Sequence, residues 1–319
     1  MLPRVIASSV VRSSHQGESH GGVYLVDFES GAAKQVIDWD DPTISWQGRG
    51  EDRGLRGIAF HGGRVYLAAS DEIFVYDPSF RLQTSFRNPF LRHTHEIFIE
   101  DDTLYATSTG FDSILAYDLR RDRFMAAQCV RFGIPERVRR KLGGAPMPKL
   151  SSFDPAGDRG PAPADTTHVN SVFARDGAIF ASGRSLGHVV EIRDGRMTSF
   201  ARIPYGSHNA RPYRDGVVFN HTGSDRVVYA DRDGRVLRSF PIVSYQPERL
   251  QHASLGPDQA RQAFGRGLAL LEDEGFLIAG SSPATVTLYR FERSEALASI
   301  NLTMDVRNAI HGLEVWPFE

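Results

Sequence analysis

A pattern of four apolar runs recurs along the chain, and it constrains the fold more than any other feature of the sequence. In each copy, two apolar runs flank a tight turn of Asp or Gly type, a third ends near Asp, and a fourth is less regular. Copies begin at Arg56 and His95, and near His168, His208 and Arg266. Short β-branched and aromatic runs separated by such turns predict strands joined as hairpins.

The last copy contains a single strand, residues 310–316, and its three missing partners lie at the other end of the chain, at 5–11, 23–28 and 34–39. A four-stranded unit repeated around a ring, with the C-terminal strand completing the N-terminal blade, is a β-propeller. We therefore predict an all-β fold of six four-stranded antiparallel blades, with first strands near 56, 95, 169, 208, 267 and 311. Seven blades is the alternative, if a long connection contains a degenerate blade.

We expect one domain, residues 1–319, with three long connections at 40–54, 133–167 and 245–265. The second connection contains a short helical segment, 135–142. In a propeller these connections emerge on the same face as the loops between second and third strands. Long loops in compact domains are more often functional than not, so this face, the top face, is predicted to be capped and active.

Charge and cysteine content exclude several classes of protein. The chain has 37 basic and 39 acidic side chains and a formal net charge of −2, so we expect neither nucleic acid nor a membrane as a partner. The single cysteine, Cys129, excludes an intramolecular disulfide and a CxxC metal site. No apolar stretch near the start is long enough for a signal peptide or a membrane span. A reducing compartment, the cytoplasm, is the expected location, and the oligomeric state is left open.

Four of the eleven histidines stand at the start of a first strand, the innermost strand of a blade. Neutral imidazoles that converge from separate strands suit a transition metal. We predict a divalent metal site, with iron or zinc favoured over calcium, whose ligands are His95, His168, His208 and His311. His93 or His221 is the alternative for one of these ligands, and a hydrogen bond to the backbone is the alternative role for each.

The spacing of these histidines requires a local irregularity. His95, His168 and His208 lie seven, nine and eight positions before the turn residues Asp102, Gly177 and Gly216. Since side chains alternate along a strand, those positions would not point in one direction. A bulge or a coil at the strand start would bring them together. The residues that share the seven-back position predict a different, oxygen-rich site, and they are Arg56, His95, Asn170 and Asn209.

Other residues are candidates for binding or catalysis. Guanidinium groups bind carboxylates and phosphates in bidentate fashion, which predicts an anionic small-molecule substrate. The predicted substrate-binding residues are Arg56, Arg266, Asn170 and Asn209. The candidate catalytic residues are Glu96, Tyr213 and Asp225. The sequence contains no GxSxG motif, no P-loop and no dinucleotide-binding motif before a helix.

The six-blade pattern resembles the gluconolactonase-like and paraoxonase-like hydrolases and the NHL-type propellers, over the whole chain. In the lactonase relatives calcium is bound in the channel by Glu, Asn and Asp side chains, a pattern that Asn170 and Asn209 fit while Arg56, Arg266 and His311 depart from it. The histidine set is closer to peptidylglycine lyase domains, which hold zinc with three histidines, and to carotenoid oxygenases, which hold iron with four. The resemblance implies the fold and leaves the function open.

Two functions are therefore predicted as alternatives. The first is a metal-dependent enzyme, a hydrolase, lyase or oxygenase, acting on a small molecule in the central pocket of the top face. The metal would act there as a Lewis acid or would activate dioxygen. The second is a non-catalytic propeller that binds a ligand or a protein on its top face.

Overall fold

The computed structural model describes residues 1–15, 17–40, 54–144, 146–256 and 260–318. These residues form 25 strands, one α-helix and three 3-10 helices, at Thr109–Phe111, Pro247–Arg249 and Phe291–Arg293. The strands pair into six antiparallel sheets, five with four strands and one with five. The prediction of a six-bladed propeller is confirmed, and the described residues contain no seventh blade.

The blades follow the chain in order. Blade 1 contains β1 (Arg4–Val11), β2 (Gly22–Asp27) and β3 (Ala32–Asp38); blade 2 contains β4 (Ile58–His61), β5 (Arg64–Ala69), β6 (Glu72–Tyr76) and β7 (Leu82–Arg87). Blade 3 contains β8 (Ile97–Glu100), β9 (Thr103–Ser108), β10 (Ser113–Asp118), β11 (Arg123–Arg131) and, after helix α1 (Ile134–Lys141), β12 (Lys149–Phe153).

The second half of the chain repeats the arrangement. Blade 4 contains β13 (Val169–Arg175), β14 (Ala178–Gly183), β15 (His188–Arg193) and β16 (Arg196–Arg202); blade 5 contains β17 (Ser207–Tyr213), β18 (Gly216–His221), β19 (Arg226–Asp231) and β20 (Val236–Pro241). Blade 6 contains β21 (Arg266–Leu271), β22 (Phe276–Ser281), β23 (Thr285–Arg290) and β24 (Glu295–Asn301), and β25 (Asn308–Val315) returns to blade 1.

The two ends of the chain close the ring. Strand β25 pairs with β1, with Val5 opposite Val315 and Val11 opposite Asn308, so the sheet order in blade 1 is β25-β1-β2-β3. Ile310 and Leu313 of β25 are buried in a core that blade 1 shares with blade 6. The predicted closure of the ring is therefore confirmed.

Burial explains why the strands differ in their sequence patterns. The third strand of blade 3, β10, is buried at all six positions, because it has neighbours on both edges and both faces. The outermost strands β3 and β7 are largely exposed and carry polar side chains. Aromatic pairs join neighbouring blades, such as Trp39 with Phe74 at 5.0 Å between ring centroids. Apolar burial of this kind is the main stabilising contribution to the fold.

The long connections differ in content. The helical segment predicted at 135–142 is present as α1, one residue earlier. Strand β12 pairs with β11 as a fifth strand of blade 3, so this part of the 133–167 connection belongs to a blade. Of the 40–54 connection, residues 41–53 lie outside the described residues, as do 257–259 of the 245–265 connection. Among the described residues, none of the helices has the length and apolarity needed to cross a membrane.

Candidate functional site

The innermost strands are irregular where they begin. The pairing register shifts between Val169 and Ser171 in blade 4, and between His208 and Arg211 in blade 5. His168 and Asn209 have positive φ angles of 54° and 50°. A bulge of this kind bends the strand and changes the direction of its side chains. The irregularity that the histidine spacing requires is therefore present in both blades.

The bulged strand starts bring imidazoles together near the axis. The ring centroids of His95 and His168 are 5.1 Å apart, and those of His95 and His311 are 6.5 Å apart. His208 lies close enough to His168 and His311 to interact with them electrostatically. We use the name axial cluster for these four histidines together with Arg56 and Arg266, whose charges act on the same rings.

His95 has hydrogen bonds on both ring nitrogens. Its Nδ1 lies 2.8 Å from the carbonyl oxygen of His93, which can only accept, so Nδ1 carries the proton and donates it. The Nε2 atom then accepts a hydrogen bond from Arg56 Nη1 at 3.1 Å. This bond occupies the lone pair that a metal ion would need.

The other imidazoles have nitrogens available for a ligand. His208 is buried, and neither of its ring nitrogens has a hydrogen-bond partner in the described part of the chain. The same holds for Nε2 of His311. Buried polar atoms are nearly always hydrogen-bonded, so these nitrogens mark where a water or a ligand binds.

His168 is positioned by two carboxylates. Its Nδ1 lies 2.9 Å from the carboxylate of Asp165. Its backbone N–H, with those of Thr166 and Thr167, donates to the buried carboxylate of Asp112 at the C-terminal end of the 3-10 helix in blade 3. The segment before β13 is therefore fixed to the neighbouring blade by Asp112.

Three imidazoles of the axial cluster, those of His95, His208 and His311, are neutral at neutral pH. Burial, and secondly the Arg56 guanidinium, holds the pKa of His95 well below its usual range, and the same two causes depress the pKa of His311. For His208, burial and then Arg266 lower the pKa. A neutral imidazole offers one N–H donor and one lone pair.

These depressed pKa values predict a loss of stability in acid. The ordinary pKa of histidine is 6.5, so below that pH the unfolded chain binds protons that the folded chain does not. As far as these histidines are concerned, the free energy of unfolding therefore has its full value above pH 6.5. It falls as the pH drops towards the pKa that each histidine has in the folded chain, by up to about 1.4 kcal/mol per pH unit for each histidine.

Urea unfolding of His208→Leu from about pH 8 to about pH 5 tests this expectation. The variant should show a shallower decline than the parent, since it has one depressed imidazole fewer. His15→Leu, in an exposed loop, is the matched control and should keep the parent's slope. Glu96, whose pKa is raised by burial, is present in every variant and cancels in the comparison. An unchanged slope in His208→Leu would contradict the assignment.

A group of guanidiniums surrounds one aromatic ring beside His208. Arg12, Arg266 and Arg261 lie 4.3, 4.8 and 5.3 Å from the ring centroid of Phe264, and the His208 ring lies 6.2 Å from it. Sequence reasoning did not identify Phe264 or Arg12. Nothing local marks them, since they are brought together from opposite ends of the chain.

Glu96 directly follows His95 in the chain and lies in a buried ion-pair network. Arg211 contacts the carboxylates of both Glu96, at 3.4 Å, and Glu314. These residues line, with His95 and His311, a cavity of about 10 Å³. That volume is sufficient for one water molecule and too small for a substrate. Glu96 is therefore paired with Arg211 beside the imidazoles and does not line a space that could hold a substrate.

The remaining predicted site residues have other surroundings. Asn209 Oδ1 accepts hydrogen bonds from Asn220 Nδ2 and the Gly267 N–H, which fixes the bulge. Asn170 Nδ2 donates to the Ser207 carbonyl, and its Oδ1 has no hydrogen-bond partner among the described residues.

The other two candidate catalytic residues lie outside the axial cluster. Tyr213 is buried in the core between blades 5 and 6 and packs against Phe291. Asp225 forms an ion pair with Arg261 at 2.6 Å. The geometry gives neither residue a place among the converging imidazoles.

His93 and His221 are the two histidines predicted as alternative metal ligands, and both have defined surroundings in the structure. The backbone carbonyl of His93 accepts the hydrogen bond from His95, and burial lowers the pKa of the His93 ring. His221 Nδ1 lies 2.8 Å from the Ser224 hydroxyl in an exposed loop. The structure therefore gives His93 a role in orienting His95.

The axial cluster suits an anion better than a metal ion. Within the described ranges, no three His, Cys, Asp or Glu side chains are arranged so that they could hold a metal ion. Arg56 donates to the lone pair of His95, and two guanidinium charges act on the rings. Positive charges so close oppose a cation and attract an anion.

No protein-family model matches the sequence, and no curated protein matches it. Solved structures with a similar fold include a protein of unknown function from Bacteroides caccae, with a TM-score of 0.59 and 10% identity over 99% of this chain and 100% of that chain. A chain of a nidogen–laminin complex has a TM-score of 0.61 and 9% identity over 98% of both chains. Apo AztD from Citrobacter koseri has a TM-score of 0.50 and 7% identity, also over 98% of both chains. At such identities the likeness shows the six-bladed propeller fold alone.

Proposed function

We propose that this propeller binds a small anionic molecule in the axial cluster. The observation that carries the proposal is the set of buried, unpartnered nitrogens on His208 and His311 beside the guanidiniums of Arg56 and Arg266. A carboxylate or phosphate group would accept hydrogen bonds from both kinds of donor. The predicted substrate class, an anionic small molecule, is retained in this proposal.

The chemistry of the donors supports an anion over a neutral ligand. Arginine presents a planar fork of N–H donors that matches carboxylate and phosphate oxygens. Neutral imidazoles add N–H donors to the site without burying a further charge. The formal net charge of the chain is only −2, so the attraction comes from these local groups. In a buried site such charge–charge attraction is screened less than at the surface.

Calorimetric titration with malonate and with inorganic phosphate tests the proposal. Replacing Arg266 by Gln should lower the affinity for the anion that binds by about 10- to 100-fold, because a hydrogen bond to a charged group contributes roughly 1.5–3 kcal/mol. Arg290→Gln is the matched control: each guanidinium lies 4.8 Å from a phenylalanine ring, that of Arg266 over Phe264 and that of Arg290 over Phe276. The control should bind as the parent does. Equal affinities in the two variants, or equal binding of the neutral diamide of malonate, would refute the proposal.

A metal-dependent enzyme is the second candidate, and one observation favours it. His168 has its Nδ1 held by the Asp165 carboxylate, the arrangement that commonly orients a metal-binding imidazole. The side chains of His168, His208 and His311 are not arranged around a metal ion in the structure, so they would have to move together to hold one, which would supply Lewis-acid chemistry or dioxygen activation. Arg56 and Arg266 would then orient the anionic substrate.

The two candidates differ in the need for a metal. Metal analysis of untagged protein, followed by the same titrations after chelation and after addition of Zn²⁺ or Fe²⁺, separates them. Anion binding that persists after chelation supports the first candidate. About one bound metal per chain, lost in His208→Ala and required for anion binding, supports the second.

A further inference from the structure

Helix α1 carries an exposed apolar stripe. Ile134, Val138 and Leu142, just after its end, are 78%, 52% and 82% exposed. Residues four apart lie on one face of a helix, so these side chains form a single row. None of the residues of α1 is buried, so the row stays largely uncovered within the described part of the chain. We call these three residues the α1 stripe.

The opposite side of α1 attaches the helix to the propeller. Arg140 Nη1 donates to the carbonyl oxygens of Thr166 and Ser185, at 3.3 Å each, and the Arg140 guanidinium lies 5.6 Å from the Phe132 ring centroid. Glu136 pairs with Lys149 of β12. Because these contacts fix the helix from the side away from the stripe, the stripe points into solvent.

Basic side chains flank the α1 stripe. Arg137, Arg139 and Lys141 are exposed, and Glu136 is the helix's one acidic residue. With Arg140, the helix has four basic residues against one acidic, a net charge of +3, in a chain whose formal net charge is −2. Tyr205, half-exposed, donates a hydrogen bond from its hydroxyl to the Gly144 carbonyl just after α1.

We propose that the α1 stripe docks on an anionic membrane surface, with the aliphatic side chains among the acyl chains and the basic side chains among the headgroups. An apolar row bordered by Lys and Arg is the arrangement of helices that lie in the membrane interface. Negatively charged lipids attract such basic side chains. The expectation of no membrane partner was based on the net charge of the whole chain. The attraction proposed here comes instead from the local positive charge of α1.

The size of the surface favours a lipid over a protein. A helix of eight residues is about 12 Å long, whereas a stable protein interface buries about 800 Å² on each partner. A single exposed ridge of this size is small for such an interface, but it is sufficient to insert a few side chains into a bilayer. This inference does not depend on the proposed anion site.

Co-sedimentation with vesicles tests the proposal, using phosphatidylcholine mixed with phosphatidylserine and phosphatidylcholine alone. We expect binding to the anionic vesicles, at least about tenfold weaker binding to the neutral ones, and loss of binding at high salt. The double variant Val138→Ser/Leu142→Ser should lower binding at least about tenfold. Arg139→Glu/Lys141→Glu should have a similar effect.

The matched control is Leu237→Ser/Leu297→Ser, which replaces two exposed aliphatic side chains on outer strands and should bind as the parent does. All variants should unfold cooperatively at the parent's temperature, since the replaced side chains are exposed. Absence of binding to anionic vesicles overturns the proposal, and so does equal binding by the stripe variant and the control. Self-association that the stripe variant abolishes, without vesicle binding, would assign the surface to a second copy of the chain and overturn the lipid proposal.

Discussion

Deleting residues 308–319 is expected to abolish the cooperative unfolding of the whole propeller. The deletion removes β25, which pairs with β1 along seven residue pairs and closes the ring. It also removes the buried side chains of Ile310, Leu313 and Trp316. Losses of this kind cost about 2–5 kcal/mol for each large side chain, and their sum is comparable with the total stability of a domain, about 5–15 kcal/mol. Calorimetry and urea unfolding measure the effect.

A single substitution tests the same closure without shortening the chain. A Cβ atom at Gly312 would lie 2.0 Å from the Arg56 carbonyl oxygen and 2.6 Å from Ser8 Oγ, so Gly312→Ala forces β25 away from its neighbours. Gly256→Ala, where a Cβ would have no atom of the described residues within 4 Å, is the matched control and should leave stability nearly unchanged. A truncated protein that melts cooperatively at the parent's temperature would rule out the closure, whatever the result for Gly312→Ala.

The propeller could be predicted from the sequence because its repeat is local. Each blade is one copy of the strand pattern, and the lone strand at 310–316 showed how the ring closes. Strand β12 could not be predicted, because it follows a helix and a Pro/Gly-containing stretch. It also pairs with β11 at the outer edge of a blade that already has four strands. Its five residues, KLSSF, are exposed or half-buried, and only two of them are apolar.

The axial cluster was predictable only as a set of strand starts. Topological equivalence placed His95, His168 and His311 at corresponding strand starts, and the ring centroids of His168 and His311 lie 5.1 and 6.5 Å from that of His95. The type of ligand depended on details that spacing does not contain. The Arg56–His95 hydrogen bond and the guanidiniums over Phe264 arise from packing between blades, and they are the contacts on which the proposal of an anion is based.

Asp112 shows how a residue outside the cluster controls its geometry. The carboxylate is fully buried. It accepts hydrogen bonds from the backbone and hydroxyl of both Thr166 and Thr167, from the His168 N–H, and from Arg131. These bonds join blade 3 to the segment that begins blade 4. Sequence reasoning did not identify Asp112, since a lone Asp after Thr109–Phe111 looks like an ordinary turn residue.

Replacing Asp112 by Asn should therefore lower both stability and anion affinity. Asn tolerates the positive φ of 51° at this position, so the substitution changes the carboxylate without straining the backbone. An amide NH₂ would then face N–H and O–H donors, and the Arg131 guanidinium would lose its buried counter-charge. We expect a loss of about 3–5 kcal/mol in the free energy of unfolding, measured in urea. Malonate or phosphate affinity, measured by calorimetry under folding conditions, should fall because His168 is no longer held.

Asp112 directly precedes strand β10, and Asp118→Asn, at the far end of that strand, is the matched control. Its carboxylate also accepts backbone N–H bonds, from Arg120 and Arg121, and pairs with the Arg121 side chain. Because Arg120 and Arg121 are exposed and this turn lies at the end of β10 away from His168, we expect a smaller loss of stability than in Asp112→Asn and no change in anion affinity. If Asp112→Asn loses stability while its anion affinity stays at the parent's value, the Asp112 carboxylate holds the blades together but does not position His168 for binding.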